Sequence, residues 1–143
     1  MRPSIALAVF LLTAVSAAAQ LISYERFVIR VFPVTSTTFE VLLDDFAGPT
    51  QMWCAAATYA ERALGKQGGD LWLKTPLAPS AAVPNRRGLV FSIEPVVPEV
   101  KSFSFSMRTA GVRRSMASAS SVCSENRSEV FVRLPNGRLL RAY

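Results

Sequence analysis

The chain has 143 residues, a formal net charge of +6 and a sequence pI near 10.0, and half of it is apolar. That is enough for one domain with a real core, and too apolar for a disordered polypeptide. It contains no histidine, which excludes Ser-His-Asp and Cys-His catalysis, histidine metal sites and a histidine pH switch.

Met1-Arg2 forms a short positive region, Ile5 to Val15 a nearly unbroken apolar run, and Ala17-Ala18-Ala19 a small-residue cleavage pattern. Together they predict a signal peptide over 1–19, with Gln20 as the mature terminus. The apolar run is short for a bilayer span and a cleavage site follows it directly, which argues against a retained anchor. Most of the 16 basic residues are arginine and alanine is abundant, a usage typical of high-GC bacteria. The mature chain, 20–143, is therefore expected to be periplasmic or secreted. In an oxidising compartment the 2 cysteines, Cys54 and Cys123, are expected to form one disulfide, so that 20–143 reads as a single disulfide-stapled domain.

Tyr24 to Phe32 alternates, with Phe27, Ile29 and Val31 on one face and Arg26, Val28 and Arg30 on the other, as in a half-buried strand. Thr38 to Leu43 is a second strand with Phe39, Val41 and Leu43 inward, and the short connection favours an antiparallel hairpin. Asp44-Asp45 is the one adjacent acidic pair and reads as a solvated turn. Trp53, Ala56, Ala57, Ala60 and Leu64 then recur at helical spacing, which predicts the main helix over about 50–64. Gly48-Pro49 or Thr50 starts it and Gly65 stops it. Cys54 falls in its first turn, where the helix dipole would favour a thiolate, so a thiol-redox role competes with the disulfide.

The run Thr38-Phe39-Glu40-Val41 through Gly48-Pro49 to Trp53-Cys54-Ala55-Ala56-Ala57-Thr58-Tyr59-Ala60 resembles a segment of small exported proteobacterial proteins of unknown function. The resemblance implies no activity and no site residues.

Asp70 to Lys74 reads as a short strand, and Thr75 to Arg87, with Pro76, Pro79 and Pro84, as a mobile loop. Gly88 to Glu94 is another strand. Ser102 to Arg108 alternates strictly, with Phe103, Phe105 and Met107 on one face. A strand with that face inward is preferred over an aromatic stacking platform flanked by Lys101 and Arg108. The stretch 113–123 reads either as a short second helix, with Met116, Ala119 and Val122 or Cys123 facing the first, or as a flexible segment tied down by Cys123. Its serines lack a general base, since histidine is absent and no lysine lies in the run. Glu129 to Leu134, the turn Pro135-Asn136-Gly137 and Arg138 to Tyr143 close the chain as strand, turn and strand.

The expected fold is α+β: a mostly antiparallel sheet with the main helix packed on it. The alternative is a small barrel or sandwich plugged by the helix. No catalytic set, metal-ligand cluster or cofactor motif is legible. The last third carries eight basic and two acidic side chains, and Arg108, Arg113, Arg114, Arg133, Arg138 and Arg141 are the candidate anion-binding residues. The function expected is a non-catalytic exported binding or interaction module, its partner unknown or an anionic envelope component. Lipopolysaccharide, phospholipid head groups or a cell-wall polymer would fit, and nucleic acid ranks below them. The competing readings are a basic surface with no dedicated partner, an envelope hydrolase, and a thiol-redox enzyme using Cys54.

Overall fold

The computed structural model describes residues 25–142. The expected signal peptide over 1–19 and the mature terminus at Gln20 lie outside the described residues. The elements run β1 (Glu25–Pro33), β2 (Thr38–Leu42), α1 (Pro49–Arg62), β3 (Asp70–Pro79), β4 (Arg87–Ser92), β5 (Val100–Lys101), β6 (Val112–Ser115), α2 (Met116–Ser121), a 3-10 helix (Val122–Arg127), β7 (Ser128–Arg133) and β8 (Leu139–Arg141). The strands form one mixed sheet in the order β5-β6-β3-β4-β2-β1-β7-β8. It is mostly antiparallel; β1–β7 and β5–β6 are the parallel pairs. The expected α+β class holds.

The hairpin β1–β2 pairs Val31 with Val41, as the alternation required. Phe27, Ile29, Val31, Phe39 and Val41 bury themselves on one face of the sheet, against α1. Pro49 occupies the first turn of α1 after the Gly48 N-cap, and the Gln51 side-chain oxygen accepts from the Gly48 N–H at 2.9 Å. The helix ends at Arg62, two residues short of the expected 64. Past it, Gly65 turns at a φ of 69° and the Lys66 N–H donates to the Ala60 carbonyl, so the glycine stops the helix as its left-handed backbone allows.

The single apolar stripe read for α1 understates its burial, because every residue from Met52 to Ala60 is buried. On one side lie the core residues of the sheet. On the other, Cys54 is bonded to Cys123, with a Cα–Cα distance of 5.0 Å, inside the usual disulfide range. Cys54 and Thr58, one turn apart, both face Cys123 of the 3-10 helix. Thr58 returns its hydroxyl proton to the Cys54 carbonyl at 2.9 Å, which satisfies a buried polar group locally. The small side chains of Ala55, Ala56 and Ala57 let the surrounding elements approach the helix closely.

Burial also pushes the Tyr59 hydroxyl above its ordinary pKa of 10.0. The folded state then binds that proton more tightly than the unfolded chain does. Its contribution is complete below pH 10.0 and is lost as the pH rises through the folded value.

Two expectations fail. First, Thr75 to Pro79 is not loop; β3 continues to Pro79 through two register irregularities against β4. Its other edge pairs with β6 only over Asp70–Trp72, so beyond that point Pro76 and Pro79 forfeit no strand partner there. Only the stretch from Ser80 to Arg86 remains loop. Second, Ser102 to Arg108 forms no strand despite its alternation. Ser102 Oγ accepts from the Ser104 N–H, and Ser106 Oγ from the N–H groups of Arg108 and Thr109. These local bonds replace a ladder. Phe105 and Met107 still pack against the core, while Phe103 is fully exposed. The short second helix read within 113–123 does form, as α2, with Met116 and Ala119 buried and packed with α1. Val112–Ser115 is a strand, and Ser115 then caps α2 by accepting from the Ser118 N–H at 3.1 Å.

The return from the irregular stretch into β6 depends on Gly111. Its φ is 83°, and an added Cβ would lie 2.1 Å from the Pro98 carbonyl oxygen. Gly137, in the β7–β8 turn, has a φ of 85° with nothing within 4 Å. Gly111→Ala is therefore expected to lower the melting temperature much more than Gly137→Ala, which bears only the left-handed cost of about 1–2 kcal/mol. Equal melting temperatures would remove the close approach to Pro98 as the reason.

Candidate anion-binding face

The face of the sheet turned away from α1 carries a group of arginines on β1, β7 and β8. On β1 the outward residues are Arg26, Val28, Arg30 and Phe32; on β7 they are Glu129, Phe131 and Arg133; on β8, Leu139 and Arg141. Each alternates with a buried core residue, as strand geometry requires. The parallel pairing of β1 with β7 sets Arg26 beside Glu129, Val28 beside Phe131 and Arg30 beside Arg133. β8 adds Arg141 beside Phe131 and Leu139 beside Arg133. On these three strands four outward arginines thus share one carboxylate, Glu129, which is held by Arg141 at 2.8 Å and by Arg26 at 3.6 Å. The Arg26 guanidinium also lies over the Phe131 ring, 5.2 Å from its centroid. Exposed pairs of this kind add little stability. Among the described residues Arg30 and Arg133 make no ion pair.

The six candidate arginines divide. Arg133 and Arg141 are on this face, and Arg138 is exposed in the adjoining turn. Arg113 and Arg114 lie at the other end of the sheet, on β6. Arg113 is bracketed by Asp70 and Glu99, each at 3.1 Å, so two carboxylates already meet its charge. Arg114 donates to the carbonyls of Ser102 and Phe103 and to Ser118 Oγ, and stacks over Phe105 at 4.2 Å. It ties the irregular stretch to α2. Arg108 is exposed in that stretch. Arg26 and Arg30 were absent from the candidates. Their shared outward face was readable from the alternation of β1; that β7 lies alongside was not.

The remaining acidic groups are dispersed. Glu40, 4% exposed, points away from α1 on β2 and accepts from the N–H groups of Ala81 and Ala82, both at 3.2 Å. It pins the loop that covers it. An added Cβ on Gly88 would meet Glu40 Oε1 at 2.7 Å, so the glycine makes room for this carboxylate. Glu40→Gln is expected to turn one acceptor into a donor facing an amide N–H, and to cost about 1–3 kcal/mol. Amide hydrogen exchange at Ala81 and Ala82 would report it as faster exchange; unchanged exchange there would mean the loop is held by other contacts. Glu61 accepts from Ser120 Oγ at 2.6 Å. Among the described residues no group of three or more Asp, Glu or Cys side chains is placed to hold a metal ion, and no helix is long and apolar enough to cross a membrane. Cys54 and Cys123 are 0% and 4% exposed, so thiol exchange would first require the packing between α1 and the 3-10 helix to open.

No protein-family model, no curated protein and no solved structure matches the chain.

Proposed function

We propose that the chain is an exported, non-catalytic binding module that takes an anionic envelope component on the outer face of β1, β7 and β8. The ligand would be lipopolysaccharide, phospholipid head groups or a cell-wall polymer. The observation that carries the reading is the parallel β1–β7 pairing, which gathers Arg26, Arg30, Arg133 and Arg141 around one carboxylate. A concentrated positive face attracts polyanions more than the same charge spread over the surface does. The buried Cys54–Cys123 disulfide supports an oxidising compartment, and with it the export read from the first 19 residues. Its burial also weighs against the thiol-redox alternative, and the dispersed carboxylates weigh against a hydrolase.

The test is retention on immobilised lipopolysaccharide or heparin at graded salt. Arg30→Ala/Arg133→Ala is expected to elute at clearly lower salt than the wild type. Arg62→Ala/Lys66→Ala removes the same charge at the end of α1, away from this face, and is expected to elute with the wild type. Retention should fall steeply towards physiological ionic strength, where exposed charges are screened within about 8 Å. Identical elution of all three proteins would reduce the charge to solubility.

A further inference from the structure

The geometry points to a discrete site on this face: Arg30 and Arg133 form a two-guanidinium clamp for one phosphate group. The inference rests on the anion-binding reading above and narrows it from a charged surface to a site of defined stoichiometry.

Arg30 and Arg133 are register partners on adjoining parallel strands, whose backbones lie about 4.8 Å apart. Both point away from α1, because Ile29, Val31 and Val132 beside them are fully buried on the other face. Like charges directly opposite one another destabilise a sheet, and Arg30 is half-buried, which removes part of the water that would screen it. No carboxylate among the described residues relieves the pair. Glu129 is four register positions away and already carries Arg26 and Arg141. Glu40, across from Phe32, is committed to two backbone amides. Val28 and Phe131 flank the pair on one side, and Phe32 and Leu139 on others. The site therefore combines two rigid donor forks with an apolar surround.

Those features select the ligand. A carboxylate has two oxygens and saturates one guanidinium fork. A phosphate monoester or diester is tetrahedral and can present oxygens to two forks at once, with a charge that offsets the repulsion between them. Lysine at either position would keep the positive charge and lose the planar fork. The phosphate could arrive as a free ion, on a phosphorylated sugar or on a lipid head group, since the site sees only the phosphoryl oxygens.

The experiment compares wild type with Arg30→Lys/Arg133→Lys, which preserves net charge. Thermal unfolding is followed in sodium phosphate, glycerol phosphate and acetate at matched ionic strength, and binding to phosphatidylglycerol vesicles is measured beside it. Wild type is expected to show a saturable rise in melting temperature with phosphate and glycerol phosphate but not acetate, and the lysine variant to need at least about tenfold more phosphate for the same rise. Vesicle binding without a response to the free ions, again lost in the variant, would assign the clamp to lipid-borne phosphate. Equal responses of the two proteins, or phosphate no better than acetate with no difference on vesicles, would overturn the clamp. If wild type is then still retained on heparin, the broader reading stands without it; if wild type is not retained, both fall.

Discussion

Replacing Cys54 and Cys123 together with alanine is expected to destabilise the domain by about 4 kcal/mol, a fall in melting temperature on the order of 15 °C. The disulfide spans a sequence separation of 69. Without it the unfolded chain regains the closure entropy of that loop, while the folded chain loses a tie between α1 and the 3-10 helix. Alanine is the informative replacement because both positions are buried and a serine hydroxyl at either would need a partner. Reduction of the wild type should reproduce most of the shift. A thiol count on denatured, unreduced protein should be close to zero. Two free thiols in that assay, or a double variant that melts with the wild type, would overturn the disulfide as a principal constraint and return Cys54 to consideration as a reactive thiol.

The parts of the fold that were legible have local causes. Phe27, Ile29 and Val31 alternate with Arg26, Val28 and Arg30, and no local side-chain bond competes with the ladder, so period two became β1. Gly48-Pro49 and Gly65 bracket α1 because one needs no N–H donor and the other accepts a positive φ. Ser102 to Arg108 has the same alternation as β1 and failed, since its serines bond their own backbone. Arg113 and Arg114 concealed β6: only Val112 is apolar there, and the strand is held by Asp70, Glu99 and the carbonyls that Arg114 meets. The candidate face was half legible. Which way Arg26 and Arg30 point follows from strand geometry. That their neighbour is β7, about a hundred residues on in sequence, is a tertiary choice that no periodicity encodes.

The basic character likewise moved. Charge counted along the chain assigned it to the last third, where Arg113 and Arg114 were the natural pair to suspect. In three dimensions that pair is used up inside the fold, and arginines from the first strand complete the exposed cluster. A count of charges along the chain therefore says how basic this protein is, and not which arginines share a face.

Trp53→Ala is expected to cost about 3–5 kcal/mol, the range for removing a fully buried large aromatic side chain. The indole meets Phe91 edge-on at 4.9 Å and Phe105 at 5.9 Å, and its Nε1–H donates to the Ser106 carbonyl at 2.9 Å. It is both a core residue and the anchor of the irregular stretch 102–110. Trp53→Phe separates the two roles. Phenylalanine keeps an aromatic ring against Phe91 but leaves the Ser106 carbonyl without its donor, an expected cost of about 1–3 kcal/mol. The readout specific to the anchor is limited trypsin digestion, because Lys101 and Arg108 flank the stretch and are exposed. Trp53→Phe should unfold cooperatively yet be cut faster than wild type after Lys101 and Arg108, with no comparable change after Arg62. If cleavage at Lys101 and Arg108 stays at the wild-type rate, the indole bond does not hold the stretch, and Arg114, through Phe103 and Phe105, carries that role alone.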